Sequence, residues 1–102
     1  MEKENIKTEK KDLNAPDHLK ELGRLNRITG QLEGIKKMIA KQRDCSEILS
    51  QLRAVRSAVR AVEANILKEQ LKFCVEQSFN SPQERQQRID ELRDLFDRFH
   101  EI

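Results

Sequence analysis

The sequence predicts an all-α fold of three helices in one small domain. Apolar residues recur every three or four positions in three separate segments, the period of an amphipathic helix. The alternation of apolar and polar residues that is typical of strands does not occur. Two helix-start signals divide the helical pattern into its three parts.

Composition restricts what this fold can bury. The 102 residues are 36% apolar and 37% charged, which leaves little for a private core, so we expect a partner chain. The net charge of +2 means that any nucleic-acid binding depends on how charge is distributed. Without a membrane-length apolar run or a secretory signal, the chain is expected to be cytoplasmic, with no membrane contact. We predict a flexible polar tail over 1–16 and a helical domain over 17–102.

The first helix is expected to begin after Pro16 and to run to about Lys41. Its apolar stripe comprises Leu22, Leu25, Ile28, Leu32, Ile35 and Ile39. Gly23, Gly30 and Gly34 also fall inside it, each at a cost of about 1 kcal/mol relative to alanine. Close approach of a neighbouring helix usually compensates such a cost, so we expect the second helix to pack across these glycines.

The second helix is long. Asp44 is placed to cap it and Glu47 to complete a capping box. The helix is expected to stop near Phe79. Its apolar residues follow steps of four and three, a seam like that of a coiled coil, formed by Ile48, Leu52, Val55, Val59, Val62 and Ile66.

The third helix has a clear start signal. Ser81 provides the cap, Pro82 occupies the first turn, and Glu84 lies three residues after the cap. Its apolar residues are Ile89, Leu92, Leu95, Phe96 and Phe99.

Two cysteines share the second helix. Cys45 and Cys74 are 29 positions apart, which corresponds to about 43 Å of helix and to directions within about 20° of each other. They cannot meet within one chain. An antiparallel dimer of this helix, crossing near Val59, would bring Cys45 of each chain beside Cys74 of the other and create two symmetric two-thiol sites.

Position distinguishes the two thiols. Cys45 lies in the first turn of the second helix, where the helix dipole favours a thiolate, whereas Cys74 lacks that help. We expect Cys45 to be the attacking thiol and Cys74 the resolving one. On spacing alone, the alternative that both are small buried apolar residues stays open.

Several of these residues together resemble a known family. RLNRITGQLEGIKKMI from Arg24, then Cys45, then SQLRAVRSAV from Ser50, then Cys74 in LKFCV is similar to the copper-sensing operon repressor (CsoR) family. The resemblance covers about residues 20–98. It implies a three-helix protomer, an antiparallel dimer through the second helix, a dimer of dimers, and a DNA-binding repressor rather than an enzyme.

The chain departs from the copper-sensing pattern at one ligand. Copper-sensing members have His one turn before the second Cys, completing a site for Cu(I), but this chain has Gln70, and an amide is a poor ligand for that soft metal. The Tyr found before the first Cys in some copper sensors is replaced by Asp44. Nickel- and cobalt-sensing relatives need the missing His and an additional one near Leu13. We expect His18 and His100 to be surface residues.

With both cysteines and no such His, this chain resembles the branch of the CsoR-like sulfur transferase repressor (CstR), which senses persulfides and polysulfides. This resemblance implies Cys45 and the partner's Cys74 as sensing thiols, joined after reaction by a di-, tri- or tetrasulfide bridge. No cofactor is then expected. In the alternative, Cu(I) is the effector and the same two thiols are its ligands.

Basic residues form two stripes at helical spacing. They are Lys20, Arg24 and Arg27 on the first helix, and Arg53, Arg56 and Arg60 on the second. A solvated face is the ordinary interpretation, but the family resemblance assigns operator DNA contact to basic residues of these helices. Arg24 matches a family DNA-contact position, and Gln31 is a polar candidate.

Two other classes of function are less favoured. A helical scaffold without DNA binding would explain the apolar seam but leave the paired cysteines and the basic stripes as coincidence. An enzyme is disfavoured because the sequence has no evident nucleophile–base pair, histidine-rich metal cluster or phosphate-binding loop.

Overall fold

The computed structural model describes residues 15–99 and confirms the all-α prediction. α1 spans Glu21–Ala40, α2 spans Cys45–Gln77, and α3 spans Pro82–Phe99. Within this range there is no strand. α1 and α2 form an antiparallel hairpin, since the start of α1 contacts the late part of α2, and α3 packs against α2.

The starts of α2 and α3 follow the predicted chemistry with one difference, whereas α1 begins at Glu21, later than expected, and has no side-chain cap. A carboxylate oxygen of Asp44 accepts a hydrogen bond from the Ser46 backbone N–H at 3.2 Å, and hydrogen bonds from Ser46 lower the pKa of this carboxyl. Glu47 pairs with Arg43 at 2.9 Å instead of completing a capping box. At the start of α3, the Ser81 hydroxyl accepts from the Glu84 N–H at 3.0 Å.

The buried core is small. Ile28 and Ile35 of α1 pack against Val55 and Val62 of α2, with Ile48 at the edge of this cluster. Of the predicted seam of α2, only Ile48, Val55 and Val62 therefore pack against α1 within the protomer.

The remaining seam residues are uncovered. Two exposed apolar stripes result, each with a spacing of seven residues. Their members on α2 are 36 to 41% exposed, and those on α1 are 39 to 57% exposed. The stripes consist of Leu52, Val59 and Ile66 on α2, and of Leu25, Leu32 and Ile39 on α1. Such regular exposure of large apolar side chains is typical of a surface that another chain covers.

The packing prediction for the glycines of α1 is wrong for the protomer. A Cβ atom added at Gly23, Gly30 or Gly34 would meet nothing within 4 Å. All three face open space because α2 packs against the opposite positions Ile28 and Ile35.

The predicted tail, residues 1–16, falls almost entirely outside the described range, and its boundary stays a prediction. Ala15 and Pro16 are half-buried and line an open hollow together with Phe73 of α2. Among helices α1 to α3, none has the length and apolar character needed to cross a membrane.

Candidate sensing site and cationic surface

The two cysteines occupy opposite ends of one continuous helix, as predicted. Cys45 is the first residue of α2 and is exposed, whereas Cys74 lies one turn before its end and is 2% exposed. The helical rise separates them by about 43 Å. A bridge between them therefore has to join two protomers.

Gln70 contacts the buried thiol directly. Its Nε2 donates a hydrogen bond to Cys74 Sγ at 3.6 Å from one helical turn away. Burial raises the pKa of Cys74, and Glu91 adds to this, while the Gln70 hydrogen bond and the Arg88 charge act in the opposite direction. At neutral pH, Cys74 is thus a protonated thiol.

This shift predicts a pH dependence for Cys74. In the Cys45→Ser variant, the folded protein should react with iodoacetamide more slowly, and with a higher pH midpoint, than the same chain unfolded in urea. Because the folded pKa is raised, the thiol contributes stability below its unfolded pKa, and that contribution is lost as pH rises through the folded pKa. Alkylation rates followed by mass spectrometry provide the measurement. Equal midpoints in the folded and unfolded chains would contradict the prediction.

Sequence reasoning missed Arg88, which is 5% exposed. Its Nη1 contacts Glu91 at 2.8 Å, its Nη2 contacts Glu84 at 2.7 Å, and its guanidinium lies 5.4 Å from the centre of the Phe73 ring. The two carboxylates, both on α3, compensate the burial of this charge, and the contact with the Phe73 ring of α2 joins α3 to α2 beside Cys74. The i, i+3 and i, i+4 spacing of these charges was visible in the sequence, but the side of α3 that faces α2 was not.

The donor atoms near Cys74 bear on metal binding. Within residues 15–99, no group of three or more His, Cys, Asp or Glu side chains could hold a metal ion. Thiols are soft donors that fit Cu(I), and without an added imidazole they do not fit nickel or cobalt. His18 is half-buried rather than a surface residue, and His100 lies outside the described range.

The predicted DNA-contacting side chains fall into two groups. On α2 the three arginines of the stripe are exposed, as are Arg27 and Gln31 on α1. The arginines of this group are Arg27, Arg53, Arg56 and Arg60. None of these four side chains forms an ion pair with an acid among residues 15–99.

The other group, Lys20 and Arg24, forms ion pairs with acidic side chains. Lys20 Nζ lies 3.5 Å from Glu69 Oε2 of α2, and Arg24 Nε lies 3.4 Å from Glu21 Oε1. Glu21 is itself buried and accepts a hydrogen bond from Asn65 Nδ2 of α2 at 3.3 Å. The Lys20–Glu69 and Glu21–Asn65 contacts join the start of α1 to α2, a feature that helical spacing did not reveal, whereas Arg24 pairs with Glu21 within α1.

Comparison with known proteins gives a consistent result. A family model described as "Metal-sensitive transcriptional repressor" matches residues 17–98. The copper-sensing transcriptional repressor CsoR of Bacillus subtilis (strain 168) is 38% identical over 76 residues, which cover 74% of each chain. The copper-sensing transcriptional repressor RicR of Mycobacterium tuberculosis is 46% identical over 52 residues, covering 51% of this chain and about half, 54%, of RicR.

Two solved structures superpose on most of this chain. The nickel-responsive transcriptional regulator InrS superposes with a TM-score of 0.72 at 34% identity, over 79% of this chain and 90% of that one. The copper-sensing repressor CsoR with Cu(I) from Geobacillus thermodenitrificans NG80-2 gives a TM-score of 0.66 at 32% identity, over 78% and 82% of the two chains.

Proposed function

Because this chain belongs to the family of metal-sensitive transcriptional repressors, we propose that it binds operator DNA and is released when a persulfide or polysulfide reacts with its cysteines. The reacting pair is Cys45 of one protomer and the partner's Cys74. The observation that carries this proposal is the Gln70 amide, which donates to Cys74 Sγ at the position where the family resemblance implies an imidazole ligand in copper sensors. The chain thus keeps two thiols and lacks the third donor of a Cu(I) site.

The proposed assembly is an antiparallel dimer through α2 and a dimer of such dimers. Support comes from the exposed apolar stripes, which a second copy can bury. It also comes from the position of the cysteines at opposite ends of α2, since an antiparallel arrangement brings each Cys45 towards the partner's Cys74.

The proposed reaction proceeds in two steps with a persulfide RSSH. The Cys45 thiolate attacks the sulfane sulfur, which forms Cys45–S–SH and releases RS⁻. The partner's Cys74 then loses its proton and attacks the Cys45 sulfur, which expels HS⁻ and leaves a disulfide between the chains. If Cys45–S–SH first takes a sulfur from a second RSSH, attack on the middle sulfur gives a trisulfide instead; a further equivalent gives a tetrasulfide.

DNA binding is proposed to use the two basic stripes of α1 and α2. Most contacts would be to phosphate, so affinity should fall steeply with salt, while operator shape supplies much of the specificity. A covalent bridge would favour a protomer arrangement in which the stripes no longer match the DNA, a shift that needs differential stability of a few kcal/mol.

Arg24→Ala should weaken operator binding and lower the slope of log affinity against log salt by about one, because one phosphate contact is lost. Fluorescence anisotropy at several salt concentrations measures both quantities. Arg93→Ala on α3 is the matched control, since Arg93 is exposed and lies outside both stripes. If the Arg24→Ala protein had the same affinity and salt slope as the control, Arg24 would not be part of the DNA interface.

Cu(I) is the second candidate effector, and the comparisons favour it. Two of the relatives are copper-sensing repressors, and one structural neighbour holds Cu(I). Two thiolates from two chains can bind this ion linearly, in keeping with its preference for soft ligands.

One experiment separates the two effectors. The reduced protein is treated anaerobically with polysulfide, Cu(I) or peroxide, and each sample is analysed by intact mass and operator binding. We expect polysulfide to give a covalent dimer with added sulfur atoms and to release the DNA. Release by Cu(I) alone, with thiols unmodified by polysulfide, would establish the metal-sensing alternative.

A further inference from the structure

A hollow with a volume of about 150 Å³ lies between the end of α2 and α3, and the Cys74 side chain forms part of its wall. Its apolar wall is supplied by Val75, Ile89 and Leu92. Cys74 is therefore covered from bulk water while bordering a small space of its own.

Two arginines, Arg85 and Arg88, border this hollow. Arg88 lies in the wall of the hollow. Its Nη1 donates to Glu91 and its Nη2 to Glu84, whereas its buried Nε has no hydrogen-bond partner within residues 15–99. Arg85 also borders the hollow, is exposed, and forms no ion pair with the residues that the structure describes. Because Arg88 is already paired with two carboxylates, Arg85 is the cation at this hollow that is left without an acidic partner among residues 15–99.

We propose that this hollow binds the sulfur donor as a small inorganic polysulfide anion and holds it beside Cys74, within reach of the partner's Cys45; this rests on the proposed function. The apolar wall suits a polarisable sulfur chain, and Arg85 suits its negative charge. Sites for drug-sized ligands usually measure about 300 to 1,000 Å³, so the hollow is too small for a persulfide of tripeptide size.

The first step is balanced with the simplest such anion, HSS⁻. The Cys45 thiolate forms a bond to one sulfur of HSS⁻, the S–S bond of the donor breaks, and HS⁻ leaves with the bonding electron pair. One proton from solvent completes Cys45–S–SH. The cysteine sulfur is oxidised and the departing sulfur is reduced to sulfide, so no other oxidant is needed.

Arg85 can be tested without a sulfur donor. In full-length Cys45→Ser protein, the rate of Cys74 alkylation is measured with anionic iodoacetate and with neutral iodoacetamide. Adding Arg85→Gln should lower the iodoacetate-to-iodoacetamide rate ratio about fivefold, and Arg85→Lys should restore it. Arg93→Gln on the same helix is the control and should leave the ratio unchanged. An unchanged ratio in Arg85→Gln, or no reaction of Cys74 with either reagent, would overturn the proposal.

A second measurement separates this inference from the proposed function. In protein with both cysteines, Arg85→Gln should slow bridging by inorganic polysulfide about fivefold and leave bridging by an uncharged organic trisulfide unchanged. If the alkylation ratio falls but no sulfur donor gives a bridge, the anion site stands and the proposed function fails. If bridging occurs at equal rates with and without Arg85, the function stands and the anion site is wrong.

Discussion

Cys45→Ser should abolish release from operator DNA by polysulfide, while affinity for the operator stays within about twofold of the unmodified protein, because surface substitutions rarely disturb folding. Cys45 is exposed at the first position of α2, so replacing sulfur with oxygen removes the nucleophile and leaves the helix start intact. Anisotropy with labelled operator and non-reducing gel electrophoresis measure release and bridging. Release of the variant by polysulfide would show that Cys45 is not the sensing thiol.

Mixing two variants tests whether the bridge joins different chains. Cys45→Ser and Cys74→Ser homodimers should each fail to cross-link, because every two-thiol site then lacks one cysteine. A heterodimer of the two should form one bridge, since Cys45 of one chain meets Cys74 of the other at one of its two sites. Mass spectrometry with isotopically distinct chains identifies this product. Failure of the exchanged mixture to cross-link, when the unmodified protein does so, would contradict the inter-subunit arrangement.

Val59→Glu should dissociate the proposed dimer. Val59 is 37% exposed at the centre of the α2 apolar stripe, between Leu52 and Ile66. Burying an uncompensated carboxylate there should cost about 3 kcal/mol or more, and twofold symmetry buries it twice, so the dissociation constant should rise at least about ten-thousandfold. Operator binding should fall with it, because the basic stripes of separate protomers no longer form a continuous surface.

Light scattering during size-exclusion chromatography measures the assembly directly. Ala54→Glu is the matched control: it adds the same charge to an exposed position of α2, about 140° around the helix from Val59. This control should keep the mass of the unmodified protein. Equal masses for Val59→Glu and the control would show that the α2 stripe is not the dimer interface.

Much of the fold was predictable because its signals are local. Asp44 and Ser81 mark helix starts through hydrogen bonds to N–H groups two or three residues away, and such contacts depend only on neighbouring sequence. The period of the apolar residues likewise identified three helices. The continuous helix between Cys45 and Cys74 followed from that pattern, and with it the conclusion that the two thiols cannot meet in one chain.

Other features depended on how the helices turn towards one another. Periodicity placed Val55 and Val59 in one seam, but packing against α1 buries the first and leaves the second exposed. The glycines of α1 were expected to face α2 and do not, because helical spacing identifies a face without saying which element covers it.

By itself, the sequence determined the helical class, the starts of α2 and α3, and the placement of two cysteines on one continuous helix. Only the tertiary structure decided that Cys74 is buried under α3 beside Arg88, and that Glu21 at the start of α1 is buried against Asn65 of α2. The physical reason is distance along the chain. Capping and periodicity act over a few residues, whereas burial, ion pairing between helices and the raised pKa of Cys74 arise from residues that folding brings together.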